Sequence, residues 1–300
     1  MSTTIRLATR RSALARVQAG GVAKAIAAGH PGLTVEELLV TTSGDRFRDR
    51  PLQDIGGKGL FLKEIEQALV DGRADVAVHS IKDVPAELAP GLVLAAIPAR
   101  VDPRDVLVTR TGGGLESLAR GARVGTSSLR RRTQLLEQRA DLEVIPLRGN
   151  VDTRLGKVEQ GEVDAVVLAA AGLERLGLSN RATAVLDPST MLPAVGQGAL
   201  GIECRSDDPT VRQLLEHLDD LPTRVCVTAE RSFMEAVEGS CRLPVAAHCI
   251  REGDQLWIRG MLAEEDGSRV RRGERRASWT TEPEEAARIG RDLGDELRSA

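Results

Sequence analysis

Short apolar runs alternate along the chain with longer stretches whose apolar residues recur every three or four positions. The pattern predicts a strand over 5–8, a helix over 13–28 capped by Ser12 and ended by Gly29 and Pro31, and a strand over 35–40. A helix over 60–70, ended by Gly72, and a strand over 74–78 follow. The alternation then returns as a strand over 123–125, a helix over 129–139, a strand over 142–145, a helix over 151–160 and a strand over 163–168. Strands joined through helices in this way imply an open, largely parallel sheet.

Two stretches repeat in detail. Arg6-Leu7-Ala8-Thr9-Arg10-Arg11-Ser12 parallels Arg123-Val124-Gly125-Thr126-Ser127-Ser128-Leu129, and residues 70–78 parallel residues 159–167. Two similar α/β lobes are expected, the first carrying an extra loop from about 43 to 59. Pro-containing segments at 98–103 and 188–193 flank the second lobe, and 199–204 reads as a further strand. If that strand returns to the first lobe, the chain crosses twice and leaves a hinged cleft facing the strand C-termini, where α/β folds bind ligands. From about residue 222 the pattern changes to a helix, three strands over 245–251, 256–261 and 269–277 that suit an antiparallel sheet, and a final helix from about 282. The expected domains are 1–99 with 200–217, then 100–199, then a small α+β domain over 218–300.

Composition narrows the function classes. At 300 residues and 41% hydrophobic the chain can bury substantial cores. Its 41 basic and 44 acidic residues give a net charge of −3, which argues against a nucleic-acid coat or a polybasic membrane binder. With no Tyr, two Trp and three Phe, it lacks the aromatic platforms on which bases stack. The longest nearly uncharged apolar run, 165–173, is too short to span a bilayer. The N-terminus holds no acidic residue before Glu36 and superficially resembles a transit peptide, but the strand at 5–8 and the repeat through Arg10 and Arg11 make it part of a folded lobe. Four cysteines without CxxC spacing suggest neither a zinc site nor a disulfide framework, which fits a reducing cytoplasm. Among the basic residues only five are lysine and 36 are arginine, a bias that compositional drift explains at most surface positions.

Two familiar motifs fail on context. Gly196-Gln197-Gly198-Ala199-Leu200-Gly201 spells a dinucleotide fingerprint, yet a strand-like segment follows it where a helix is required. Gly56-Gly57-Lys58-Gly59 lacks the first Gly and the Ser/Thr of a P-loop; it reads as a flexible lid presenting Lys58 or as an ordinary turn.

The surviving signals lie at strand ends. His79-Ser80-Ile81-Lys82-Asp83-Val84-Pro85 sets an ammonium beside a carboxylate. A neighbouring cation favours the ionised carboxylate and burial opposes it, so Asp83 can be tuned for proton transfer; a solvated Lys-Asp turn is the alternative. His79 reads as a packed or structural residue. Arg10, Arg11, Arg130, Arg131, Arg132, Arg148 and Arg154 follow predicted strands or open helices, and Thr126-Ser127-Ser128 offers hydroxyls at a helix N-terminus. Guanidinium forks converging this way predict a polyanionic ligand, with plain surface arginine as the alternative for any one of them. Cys241, in the loop Glu238-Gly239-Ser240-Cys241-Arg242-Leu243-Pro244, lies beside an arginine that favours thiolate; it is a candidate covalent attachment point or a buried inert thiol.

Together these residues resemble the porphobilinogen deaminase family. The resemblance runs through Ala8-Thr9-Arg10, Gly56-Gly57-Lys58-Gly59-Leu60-Phe61, the His79–Pro85 segment, Asp102-Pro103-Arg104-Asp105, and Val124-Gly125-Thr126-Ser127-Ser128-Leu129-Arg130-Arg131. It continues through Leu147-Arg148-Gly149-Asn150-Val151, Leu192-Pro193-Ala194-Val195-Gly196-Gln197-Gly198 and the Cys241 loop. It implies two lobes like those of type II periplasmic binding proteins and a third domain carrying a cofactor cysteine. It further implies a transferase of tetrapyrrole and heme synthesis that joins four porphobilinogens head to tail, with loss of ammonia, and releases hydroxymethylbilane by hydrolysis. The implied cofactor is dipyrromethane, one per chain, held through a thioether to Cys241.

By the same resemblance Asp83 would protonate the departing amine, manage the pyrrole proton and stabilise the azafulvene cation. Ser80, Lys82, Asp83, Thr126, Ser127, Ser128, Arg130 and Arg131 would hold the cofactor. Arg10, Arg11, Lys58, Arg148, Arg154 and Gln197 would handle substrate. Because every porphobilinogen unit carries an acetate and a propionate, a paired set of arginines suits the growing chain. Ser240 and Arg242 depart from the Gly and the neutral residue that many members carry around the cysteine, and the chain ends short of a tail found in some members. A monomer in the cytoplasm is expected, without metal, nucleic acid or membrane; a non-enzymatic two-lobed carboxylate-binding protein is the competing reading.

Overall fold

The structure is a computed structural model that describes residues 4–42, 62–237 and 243–300. Its elements begin with β1 (Thr4–Arg10), α1 (Ala13–Gly29), β2 (Thr34–Val40), α2 (Lys63–Val70), β3 (Val76–Ser80) and β4 (Leu92–Ala96). Next come β5 (Asp105–Thr109), β6 (Arg123–Gly125), α3 (Leu129–Gln138), β7 (Glu143–Ile145), α4 (Val151–Glu159), β8 (Ala165–Ala169), α5 (Ala170–Arg175) and β9 (Ala184–Val185). Then follow β10 (Leu200–Arg205), α6 (Pro209–Leu215), α7 (Leu221–Ala236), β11 (Val245–Glu252), β12 (Gln255–Leu262), β13 (Arg271–Ser278) and α8 (Pro283–Ser299). The chain divides into two compact units, Met1–Arg100 with Ala199–Arg224, and Val101–Gly198 with Val225–Ala300.

In the first unit the sheet order is β2-β1-β3-β10-β4. β1 pairs in parallel with β2 and β3, while β10 pairs antiparallel with β3 and β4. Leu7 and Ala8 are both fully buried because helices cover the two faces of the sheet. α1 starts where Ser12 Oγ accepts the Ala15 N–H at 3.3 Å, and its Ala19, Val22 and Ile26 pack on one face of the sheet. α2 covers the other face with Ile65, Ala68 and Leu69.

The second unit repeats the plan in the order β7-β6-β8-β5-β9. β6 pairs in parallel with β7 and β8, and β5 runs antiparallel to β8 and β9. Each sheet thus has the parallel strand–helix core expected from the sequence plus two antiparallel connections. The strand that enters antiparallel is the one the chain forms just after each crossing, β5 or β10. A short run buried on both faces carries no mark of its direction, so the hydrophobic pattern does not distinguish this mixed sheet from a parallel one.

The same unit holds the antiparallel sheet β11-β12-β13, with α7 and α8 packed on one face around the fully buried Phe233. The two helices approach closely because α8 presents glycine: a Cβ on Gly290 would strike the carbonyl of Ala229, and one on Gly294 would lie 2.6 Å from Ala236 Cβ. Glu230, fully buried on α7, accepts the Gly196 N–H at 2.6 Å and the Cys249 N–H at 2.8 Å, tying the Gly196-Gln197-Gly198 segment to β11.

Candidate active site

In the first unit β1 and β3 are parallel neighbours, so the residues that follow both strands emerge at one edge of the sheet. Arg10 ends β1, and Arg11 Nε donates to Thr41 Oγ1 at 3.2 Å. Thr9, fully buried, donates its hydroxyl to Ala15 O at 3.2 Å and seats the turn into α1. Ser80 ends β3 and accepts from Gln18 Nε2 at 3.0 Å. Beyond it Ile81–Asp83 form a single 3-10 turn. Lys82 is half-buried in this turn, whereas Asp83 is exposed. Among the described residues the Asp83 carboxylate has no hydrogen-bond or ion-pair partner, which leaves its oxygens available to a ligand.

The equivalent edge of the second unit is built on β6 and β8. Thr126 N–H donates to Ile145 O at 3.0 Å, and Ser128 N–H donates to Thr126 Oγ1 at 3.2 Å. Ser128 Oγ caps α3 by accepting the Arg131 N–H at 3.4 Å, and Ser127 Oγ donates to Leu147 O at 2.9 Å. The turn fits closely: a Cβ on Gly125 would lie 2.6 Å from Leu147 Cδ2. Arg148 is half-buried in the loop after β7, and Arg154 Nε donates back to Gly149 O at 2.9 Å, bracing that loop where Gly149 takes φ +115°.

The first turn of α3 holds the densest electrostatics. Asp105, fully shielded at the start of β5, accepts from Arg130 Nη1 at 2.7 Å and from Arg131 Nε and Nη2 at 3.1 and 2.7 Å. Gln197, 1% exposed, donates its amide to the same carboxylate at 3.0 Å and to Pro103 O at 2.7 Å. Burial alone would push the Asp105 carboxyl up; the charges and hydrogen bonds of Arg130 and Arg131 overcome it and hold the group well below the usual carboxylate range. Burial lowers the Arg130 guanidinium, with Asp105 opposing.

The two arginines are not equivalent. Arg131 uses all three guanidinium nitrogens on the protein, Nη1 donating to Val167 O at 2.8 Å. Arg130 uses only Nη1, on Asp105 and on Leu192 O at 2.7 Å, so its Nε and Nη2 have no partner among the described residues. Two guanidiniums facing one carboxylate also leave an excess positive charge in a site where both are only 6% exposed. Such an excess favours an anionic ligand.

Of the expected site residues, Arg10, Arg11, Ser80, Lys82 and Asp83 share one sheet edge, and Thr126, Ser127, Ser128, Arg130 and Arg131 share one turn with Gln197 bound beneath it through Asp105. Lys58 and Cys241 lie outside the described residues. Asp105 and Arg175 received no role from the sequence. Asp105 enters the sequence reading only within Asp102-Pro103-Arg104-Asp105, because its partners Arg130 and Arg131 reach it only in the folded chain. Arg175, half-buried at the end of α5, donates from Nη2 to Gly198 O at 2.8 Å, and burial lowers its guanidinium. Nothing in its local sequence marks it out.

A family model described as "Porphobilinogen deaminase, dipyromethane cofactor binding domain" matches residues 5–213, and one described as "Porphobilinogen deaminase, C-terminal domain" matches residues 224–299. A Porphobilinogen deaminase of Sorangium cellulosum (strain So ce56) is 63% identical over 298 residues, covering 99% of both chains. One of Syntrophobacter fumaroxidans is 52% identical over 293 residues, covering 98% of this chain and 94% of the relative.

Proposed function

The chain belongs to the porphobilinogen deaminase family, and on that premise we propose that Asp83 is its proton-handling group, Cys241 its cofactor attachment point and Arg130 a principal ligand of the cofactor's carboxylates. It is a transferase of tetrapyrrole and heme synthesis: four porphobilinogens are joined head to tail with loss of ammonia on a covalently held dipyrromethane, and hydroxymethylbilane is released by hydrolysis. Membership in this family sets aside the non-enzymatic binding protein.

The residues fit the cofactor. An anion carrying several carboxylates answers both the excess charge around Asp105 and the unused Nε and Nη2 of Arg130. Ser80, Lys82, Asp83, Thr126, Ser127, Ser128, Arg130 and Arg131 form the proposed cofactor set, with Arg131 and Gln197 acting through Asp105. Arg10, Arg11, Lys58, Arg148 and Arg154 form the proposed substrate set; Gln197, expected there too, is buried against Asp105 and would act on substrate only from behind it. When bound, the dipyrromethane supplies a nucleophilic pyrrole carbon on which the chain grows.

Each addition breaks the carbon–nitrogen bond of the incoming unit, forms a carbon–carbon bond and displaces a proton from the pyrrole carbon. A proton must reach the leaving nitrogen and another must be removed. A carboxyl group that alternates between acid and base can do both, and its negative form stabilises the cation left as the amine departs. The observation that carries this assignment is the exposed carboxylate of Asp83 in the turn after β3, which has no partner among the described residues. Asp83→Asn should keep the cofactor mass and lose most turnover; near-normal ammonia release would remove Asp83 from the role.

Among the described residues no helix is long and apolar enough to cross a membrane. The large apolar side chains exposed there, Val17, Val70, Val185 and Leu221, are scattered over separate elements, which supports a monomer. Cys204, Cys226 and Cys249 are buried free thiols, which supports a reducing cytoplasm.

A further inference from the structure

His79 and Glu203 form a buried ionisable pair between β3 and β10, and the proposed chemistry uses neither. His79 Nε2 lies 2.9 Å from Glu203 Oε2, with the residues 5% and 0% exposed. Glu203 Oε1 is buried without a donor among the described residues. Glu66 on α2 is close enough to feel both groups: burial and then the Glu203 charge push its carboxyl up, while His79 pulls it down. Replacing a buried ion pair by apolar residues is commonly neutral or stabilising, so stability gives little reason for the arrangement.

Register gives a better one. β10 runs antiparallel to β3 with Gly201 opposite His79 and Glu203 opposite Ala77. The His79–Glu203 contact is therefore diagonal, and a diagonal contact opposes sliding of one strand along the other. Gly201 makes room for the next turn, since a Cβ there would come within 2.7 Å of Ile81 Cδ1 and 2.9 Å of Leu94 Cδ2. Ile81 N–H donates to Ala199 O at 3.1 Å, and Val84 N–H closes the turn on Ile81 O at 2.9 Å. Lys82 and Asp83 sit between those two amides. Ala199, Gly201 and Glu203 thus meet β3 and its turn from the segment by which the chain returns to the first unit.

We propose that His79 and Glu203 are positioning residues: their contact locks the register of β3 on β10 and so fixes the turn that carries Lys82 and Asp83. The proposal rests on the reading of Asp83 as the proton-handling group. It is tested on the full chain with the double variant His79→Leu/Glu203→Met, an apolar pair of similar bulk, and with His79→Gln, whose amide can donate to Glu203 in place of Nε2.

The first readout is amide hydrogen exchange of a peptide spanning 80–85 in protein kept free of cofactor by Cys241→Ala. The double variant should exchange there about tenfold faster while peptides from α1 keep their protection, as expected for local rather than global opening. The second is turnover per cofactor-bearing chain. In the double variant kcat should fall on the order of 100-fold with KM within about twofold, because displacing a reacting group by a fraction of its reach costs that much while the arginines are untouched. The melting temperature should be equal to or above that of the wild type, and His79→Gln should recover most of kcat. Unchanged exchange over 80–85, acceleration spread evenly over the first unit, or a double variant that loses stability and activity together overturns the proposal. Asp83→Asn measured alongside separates the two readings: wild-type turnover in that variant defeats the role of Asp83, whereas the exchange result still decides what anchors the turn.

Discussion

Asp105→Asn removes one negative charge from beneath two buried guanidiniums. In the wild type the carboxylate is fully shielded and lies 2.7 Å from both Arg130 Nη1 and Arg131 Nη2. The variant keeps the shape and the Gln197 contact but leaves two cations uncompensated, and breaking a buried pair in this way costs about 3–5 kcal/mol. For a unit of this size that corresponds to a melting temperature lowered by roughly 6–20 °C. The pH dependence has a definite sign. The folded-state pKa of Asp105 is depressed, so its stabilisation is fully present above the unfolded value of about 3.9 and is lost as pH falls through the lower folded value. Denaturant titrations of wild type and variant, matched for cofactor content by mass, should differ by a constant amount at neutral pH and converge only under acid conditions. A variant that melts within about 2 °C of the wild type, less than the shift from 1 kcal/mol, would mean that Asp105 does not compensate the two guanidiniums. So would a difference that disappears already near neutral pH.

Arg130→Lys keeps the charge but loses the fork, including the Nε and Nη2 that have no partner among the described residues; it should slow cofactor acquisition by intact mass more than Arg131→Lys, which should act chiefly on melting temperature. Gly290→Ala should destabilise the second unit by about 1–3 kcal/mol although alanine is the better helix former, because the added methyl meets the Ala229 carbonyl rather than a movable side chain; thermal melting checks this, and a rise would contradict the packing of α7 on α8.

The parallel half of each lobe was legible because its signals are local. Ser12 and Ser128 cap the two helices, and β1 and β6 pair with β3 and β8 in the same register, Leu7 opposite Val76 as Val124 is opposite Ala165, although the turn into α1 is one residue longer than the turn into α3. β4 and β5 were not legible: Leu92–Ala96 and Asp105–Thr109 are short runs without alternation, and their neighbours in the sheet come from distant sequence. The arginine bias resolves in the same manner. On β13, Arg271, Arg272, Arg275 and Arg276 pair with Glu264, Glu137, Glu296 and Glu252, so these side chains brace the second unit as surface ion pairs of modest individual worth. Arg130 and Arg131 were visible as candidates. Their difference was not, because it is set by Asp105, Leu192 and Val167, which converge only in the folded chain.

If the product grows on a cofactor attached at Cys241, as proposed, the intact mass of the purified protein records it. The wild type should exceed its sequence mass by two pyrrole units, grow by further units on brief exposure to porphobilinogen, and lose the excess altogether in Cys241→Ala. An unmodified wild-type mass accompanied by ammonia release, or an excess that persists in Cys241→Ala, would contradict it.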